Sequence, residues 1–401
     1  MWQNSIPHDI PGNIHGITIM NRNYSLKDIS TYFLKLGAIG FGGPAALVGY
    51  MHRDLVEDRK WIKEQDYKEG LALAQLAPGP LAAQLAIYIG YIDFGILGAT
   101  FAGVAFVIPS FIMVVGLGWL YTHFGGLPWM QAVFYGVGAA VIGIITLSTY
   151  KLSRKSLGKD WLLWGVFLAL AVSTFIGEKE NIWLILLAGF LVWFVKAPPR
   201  FLHINKSISF MPFLLQAGIH FSANERLVQI WWFFLKAGAF VFGSGLAIVP
   251  FLYGGVVNEY HWLNEKQFLD AVAVAMITPG PVVITVGFIG YLVAGFPGAC
   301  VAALATFLPC YLFTILPAPY FKKYGKHPSL KAFIDGVTAA AIGAIAGAVI
   351  VLAKRQFADI TSVVIALATL LVLLRFKKIQ EPFVIAIAAL IGILLKLIFK
   401  A

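Results

Sequence analysis

The feature that most constrains this chain is that it contains the same pattern twice. Residues 33–48 read FLKLGAIGFGGPAALV and residues 234–249 read FLKAGAFVFGSGLAIV, with nine of the sixteen aligned pairs identical at an offset of 201. The same offset pairs Trp61 with Trp262, and AQLAPGP at 74–80 with AMITPGP at 275–281. Beyond that point the offset is 200: Gly95, Gly98, Ala99 and Pro109 match Gly295, Gly298, Ala299 and Pro309, and AVFYGVGAAVIG (132–143) matches AFIDGVTAAAIG (332–343). Such a period far exceeds the roughly 20–50 residues of a solenoid unit. In an apolar chain it points to two structurally related halves around a central site, as in many transporters.

The chain is apolar enough for that. Hydrophobic residues make up 59% of it and charged residues 12%, against roughly 45–50% and about 25% in a soluble domain. Segments 96–120, 132–150, 161–176, 182–195, 296–318, 332–353, 358–374 and 382–395 are almost free of charge, and most approach the roughly 17–25 residues that cross a bilayer as a helix. A multi-pass integral membrane protein follows. The net charge of +11 lies in short loops between apolar segments, so it reports topology rather than nucleic-acid binding. Cys300 and Cys310 share one apolar segment, which excludes a disulfide framework and a thiolate metal site and leaves them as packing residues. Residues 1–24 hold no continuous apolar stretch and read as an N-terminal extension rather than a signal peptide.

The second apolar segment of each half differs from the rest. It runs over about 69–91 and about 268–292, interrupted by Ala77-Pro78-Gly79-Pro80 and by Thr278-Pro279-Gly280-Pro281. Proline removes an amide donor and pushes the preceding residue out of helical geometry, so a continuous helix cannot run through Pro-Gly-Pro. Loop charge favours a re-entrant hairpin of two half-helices over an interrupted crossing, because cytoplasmic loops collect Lys and Arg. The loop at 52–68 carries five such residues, that at 121–131 none, and that at 151–159 four. A hairpin sets the first two on opposite sides and makes the alternation regular.

In the second half the pattern reverses. Its first loop has only Lys266, and the loop at 319–331 has Lys322, Lys323, Lys326 and Lys331; Lys354 and Arg355 dissent. The expected fold is an all-α integral membrane protein of two inverted repeats, each with about five transmembrane helices and a re-entrant Pro-Gly-Pro helical hairpin. Its parts are the extension 1–24, a first repeat 25–196, a cytoplasmic or interfacial linker 197–227 and a second repeat 228–401.

Candidate site residues cluster around the glycines and the hairpins. Gly40-Phe41-Gly42-Gly43-Pro44 and Phe242-Gly243-Ser244-Gly245 either let helices pack closely or let backbone amides reach a ligand. Each tip, at Gly79 and Gly280, begins a half-helix at Leu81 or Val282 whose first amides lack helical partners. Such an end suits an anion, worth roughly 0.3–1 kcal/mol when exposed and up to ~2 when partly buried. Inversion would bring both tips toward mid-membrane, where they could share one small dianion without an intramembrane arginine.

Polar residues flank the tips. Gln75, Gln84, Thr278 and Thr285 either bind ligand or satisfy the broken backbone. Lys35 and Lys236, near the start of each first segment, either snorkel to the interface or attract the anion. Glu69 and Asp270 open the hairpins, as helix caps or as a coupling proton site. Asp54, Glu57 and Asp58 read as a solvated loop, and Trp61 and Trp262 as interfacial anchors. The eight histidines show no metal-ligand spacing, and no phosphate-binding loop or catalytic constellation is present. No cofactor is expected. Uphill transport would then draw on an ion gradient or on the membrane potential, about 2.3 kcal/mol per charge per 100 mV.

The glycine cluster, the tryptophan after it and the doubled AQLAPGP and AMITPGP motifs resemble the chromate ion transporter family in its long, two-domain form. The resemblance runs from about residue 24 to the C-terminus, with Pro44 and Ser244 standing where a further glycine is expected. It implies export of chromate across a cell inner membrane, giving chromate resistance. Sulfate has the same shape and charge, so a sulfate-like oxyanion carrier or exchanger and an anion channel stand as alternatives. Expected partners are the oxyanion, the lipid bilayer, a proton or counter-anion for coupling, and a second copy in a homodimer.

Overall fold

A computed structural model describes residues 24–41, 43–124, 128–177, 182–198, 225–240, 248–324, 327–357, 359–376, 379 and 381–399. The extension before residue 24, most of the linker, and Gly42, Gly243 and Ser244 lie outside the described residues. Among the described residues there are fifteen α-helices and no strand. The first half contains α1 (Leu26–Ile39), α2 (Gly43–Met51), α3 (Glu64–Leu76), α4 (Leu81–Phe124), α5 (Pro128–Leu157), α6 (Trp161–Gly177) and α7 (Ile182–Lys196). The second contains α8 (Glu225–Ala239), α9 (Ile248–Tyr253), α10 (Glu265–Ile277), α11 (Thr285–Ile315), α12 (Ala318–Tyr324), α13 (Pro328–Gln356), α14 (Ile360–Arg375) and α15 (Glu381–Phe399).

The opening helices show how the repeat becomes structure. In α1, Ile29, Tyr32, Phe33 and Leu36 are buried, the one-sided stripe that a 3.6-residue period produces. Ile230, Phe233, Phe234 and Ala237 repeat it in α8. Ser25 starts α1 through a capping box with Asp28, satisfying two first-turn amides. Gly37 lies against the backbone carbonyl of Phe106, and Gly238 against that of Thr306, so closely that a Cβ would overlap either.

Both Pro-Gly-Pro breaks are present where proline chemistry places them. Helix α3 ends at Leu76 and α4 starts at Leu81, while α10 ends at Ile277 and a short 3₁₀ turn, Val282–Ile284, leads into α11. A second pair of breaks falls where the apolar segments ending near 91 and 292 give way to those beginning at 96 and 296. Helices α4 and α11 fold back at Gly95 (φ 63°) and Gly295 (φ 62°), in the left-handed region that glycine enters without a Cβ penalty. Gly90 then lies on the Gly98 carbonyl and Gly290 on that of Gly298, with no room for a Cβ at any of the four. Each helix is thus a tight antiparallel pair of arms.

The first segment of each half is also less simple than an unbroken crossing. In the first half α1 stops at Ile39, Gly40 caps it, and α2 begins at Gly43, so the glycine cluster is a break between two helices. Helix α2 continues as a π-helical turn over His52–Asp58, and α9 as one over Gly254–Glu259. Asp54, Glu57 and Asp58 are therefore helical, not in an open loop. Trp61 stacks on Tyr24 with ring centroids 4.8 Å apart, and Trp262 on Tyr260 at 4.6 Å.

Among the described residues, four helical stretches are long and apolar enough to cross a membrane: Leu81–Phe124, Gln131–Leu157, Val282–Phe321 and Pro328–Lys354. Shorter apolar helices, Trp161–Gly177, Trp183–Lys196, Ile360–Arg375 and Glu381–Leu395, accompany them. The halves exchange helices. Helix α5 packs on α14 and α15, with Gly143 against Ala366 and Gly136 against Ala388; α13 packs on α6 and α7, with Gly343 against Phe167 and Gly336 against Ala188. The sequence halves are therefore interlocked in packing. The first arm of α11 runs parallel to the long arm of α4, Gly287 beside Val114 and Tyr291 beside Gly118. Since α11 folds back on itself, the long arms of α4 and α11 run antiparallel, joined where Thr100 Oγ1 meets the Tyr311 hydroxyl at 2.8 Å.

Candidate functional site

At the second tip, proline on both sides of Gly280 forces the chain out of α10 and into the 3₁₀ turn, with Gly280 at φ 89°. Its amide donates to the carbonyl oxygen of Gly40 at 3.0 Å. A Cβ at Gly280 would strike Ser110 Oγ and approach the Gly37 carbonyl to 3.2 Å. The tip therefore sits in a notch of the first half built from Gly37, Gly40 and Ser110. Thr278 and Thr285, both buried, donate inward: Thr278 Oγ1 to the Ala275 carbonyl at 3.0 Å and Thr285 Oγ1 to that of Val282 at 2.7 Å. Val282 is half-buried at the start of the turn. The polar atoms of this tip are largely engaged with backbone.

The first tip is built differently. Gly79 has φ 143°, and the first helical bond of α4 runs from the Gln84 amide to the Pro80 carbonyl at 3.0 Å. Pro80 has no capping side chain, and Leu81, Ala82 and Ala83 supply none, so the helix itself offers no acceptor to the amides of its first turn. Gln84 is fully buried and bends back over the opening: its Nε2 donates to the Pro78 carbonyl at 2.8 Å. A Cβ at Gly79 would come within 2.7 Å of that amide. Gln84 Oε1 is buried without a hydrogen-bond partner.

The remaining sequence candidates divide. Gln75 is exposed, Leu81 half-buried, and Gly43 opens α2. Lys35 and Lys236 are exposed, within α1 and α8, two residues before the buried Gly37 and Gly238. Glu69 and Asp270 do not cap their helices: α3 starts at Glu64 and α10 at Glu265, behind an Asn264–Gln267 capping box. Both acids lie in the helix interior because each helix begins five residues before them. Gln65 Nε2 donates to Glu69 Oε1 at 3.1 Å. Asp270 is only 3% exposed and accepts from the Tyr121 hydroxyl at 2.7 Å, across the two halves.

Sequence reasoning missed Ser110, the notch at Gly37 and Gly40, and Tyr121. Ser110 had a signal: it follows the repeated Pro109, and Cys310 follows Pro309. Tyr121 had none, since Phe321 occupies the matching position. Chemically, the first tip sets the start of a helix beside a buried acceptor without a partner, Gln84 Oε1, in a wall otherwise apolar: Ala82, Ala83, Leu85 and Ala86 are all buried.

Comparison with known proteins follows the same division into halves. A family model described as "Chromate transporter" matches residues 27–193 and 228–393. A "Chromate transport protein" of Cupriavidus metallidurans is 68% identical over 373 residues, covering 92% of this chain and 93% of its own. A "Probable chromate transport protein" of Synechococcus elongatus is 61% identical over 376 residues, 92% of this chain and 96% of its own. An uncharacterized transporter of Methanocaldococcus jannaschii is 29% identical over 391 residues, 93% of this chain and 95% of its own. No solved structure matches.

Proposed function

Since this chain belongs to the chromate transporter family and is a multi-pass membrane protein, we propose that it is a secondary transporter exporting chromate across the cell inner membrane, giving chromate resistance. The observation that carries this reading is the first tip: helix N-terminal amides beside a buried side-chain amide, in an apolar wall, suit a small tetrahedral oxyanion. The site comprises Gly79, Leu81 and Gln84 of that tip, Gly280, Val282, Thr278 and Thr285 of the other, and the glycine clusters with Gly42, Gly43, Gly243 and Ser244. Gln75 supplies a ligand hydrogen bond, and Lys35 and Lys236 draw the anion toward the site.

Inverted repeats are part of the proposal. The antiparallel long arms of α4 and α11 and the paired fold-backs at Gly95 and Gly295 support it, since a two-fold axis in the membrane plane relates equivalent helices with opposite direction. Asp270, buried and held by Tyr121 across the halves, is the coupling candidate, with Glu69 its counterpart.

Uptake of labelled chromate and sulfate into inverted vesicles, with and without an imposed pH gradient, tests the reading. Chromate accumulation against its gradient, driven by the pH difference, is expected. Flux in both directions that never exceeds equilibrium identifies an anion channel, and preference for sulfate identifies a sulfate-like carrier.

A further inference from the structure

We propose that the first tip selects the protonated, singly charged form of its tetrahedral oxyanion, with Gln84 Oε1 accepting the O–H of the ligand. This rests on the oxyanion-transport reading and names the species carried. The Gln84 amide is oriented by its surroundings. Nε2 donates to the Pro78 carbonyl at 2.8 Å, and a carbonyl can only accept, so the reverse orientation would set oxygen against oxygen. Oε1 is thereby left as an acceptor, buried and without a partner, on a side chain with no exposed surface.

Leaving a buried acceptor unpaired costs its desolvation, so a transported ligand carrying a donor recovers that cost and one lacking it does not. The fully ionised dianion has only acceptors, and its oxygen against Oε1 would be repelled. The monoanion divides correctly: its charged oxygens face the first-turn amides of α4 and its hydroxyl faces Gln84. A site built to receive an O–H discriminates strongly against an analogue that lacks one. Chromate takes up a proton near neutral pH, whereas sulfate does so only in strong acid. One oxygen atom would thus separate two anions of equal shape, which amide ends alone cannot do.

Titratable groups of the protein must be told apart from that of the ligand. Among the elements packed against α4, α1 brings Lys35, α2 Tyr50, α3 Asp66 and Glu69, α10 Asp270 and α11 Tyr291, while α4 itself carries Tyr88, Tyr91, Asp93, Tyr121 and His123. Sulfate, whose charge is constant over this range, controls for titration of any of these.

The test is equilibrium binding of labelled chromate and labelled sulfate to the purified full-length chain in nanodiscs, from mildly acidic to mildly alkaline pH. Affinity per total chromate should fall about tenfold per pH unit once the monoanion becomes the minor species, because only the competent fraction binds. Sulfate should bind weakly and without that slope. Gln84→Met, which keeps the volume and removes the acceptor, should lose at least about tenfold of chromate affinity at the acidic end, as expected for one lost hydrogen bond. A parent affinity for chromate that is flat with pH overturns the inference, as does sulfate bound as tightly as chromate. So does a Gln84→Met variant with the parent's affinity and profile, which would mean that Oε1 meets only water. Absence of chromate binding at every pH overturns the transport reading itself.

Discussion

The amide of Gly280 donates to the carbonyl oxygen of Gly40 at 3.0 Å, so the tip of the second break is fastened to the loop where the first half's glycine cluster begins. This bond joins two interruptions of regular helix, one from each half, and each satisfies a backbone group that the other leaves over. In a membrane such an arrangement is required, since irregular backbone away from water must find partners within the protein.

Gly280→Ala is expected to destabilise the protein by about 1–3 kcal/mol, the cost of a left-handed non-glycine residue together with displacement of the Gly40 bond. Its Cβ would meet Ser110 Oγ, so adding Ser110→Ala should restore part of the loss. Thermal unfolding of the two single variants and the double variant measures the coupling. Purely additive losses would mean that the tip does not rest on Ser110.

Gly98→Ala should destabilise by about 1–3 kcal/mol, the usual cost of overpacking a close contact, because a Cβ there would meet the Gly90 carbonyl. Gly298→Ala should behave alike. Gly116→Ala and Gly165→Ala, whose added methyl groups meet nothing within 4 Å, should stay within about 0.5 kcal/mol of the parent. Equal melting shifts at all four positions would contradict the fold-back.

Asp270→Asn should abolish the response of chromate flux to an imposed pH gradient while leaving downhill flux measurable, if this buried carboxyl carries the coupled proton. Tyr121→Phe removes the one hydrogen bond seen at Asp270 Oδ2 and should cost about 1–3 kcal/mol, the penalty for a buried acceptor left unpaired. A pH-driven flux unchanged in Asp270→Asn would place coupling elsewhere.

Lys35 is exposed on α1 two residues before Gly37. If its charge raises the local anion concentration, Lys35→Gln should weaken apparent affinity at low salt and flatten the dependence on ionic strength, because the attraction lost is long-range and screened. Flux at low salt equal to the parent's would identify Lys35 as a snorkelling interfacial residue.

Proline chemistry is local, and so the breaks after Leu76 and Ile277 were legible from sequence alone. A turn at Gly95 and Gly295 was legible as well, since the apolar segments end near 91 and 292 and resume at 96 and 296, but the tight packing of the fold-backs was not. Their signal was the pair of close approaches, Gly90 with Gly98 and Gly290 with Gly298, which only the folded chain displays. The starts of α3 and α10 were misplaced although Asn264 and Gln267 carry a capping box; the apolar run drew attention past it. The exchange of α5 and α13 between halves was illegible for another reason. Small and apolar residues surround both helices, so no face marks the partner. At the site, glycines and prolines announced the tips, but the orientation of Gln84 depends on a carbonyl six residues away.

The topology can be tested apart from transport. Matching loops differ in charge: 121–131 has no Lys or Arg, whereas 319–331 has Lys322, Lys323, Lys326 and Lys331. Basic loops stay in the cytoplasm, so the proposed inversion puts residue 126 outside and residue 326 inside. With Cys300 and Cys310 first replaced by Ala, single cysteines introduced as Gly126→Cys and Lys326→Cys should react with a membrane-impermeant maleimide from opposite sides, Gly126→Cys in intact cells and Lys326→Cys only in inverted vesicles. The antiparallel long arms of α4 and α11 lead toward these two loops and support the same expectation. Labelling of both from one side would mean that the two halves are parallel repeats, and the two-fold axis in the membrane plane would have to be abandoned.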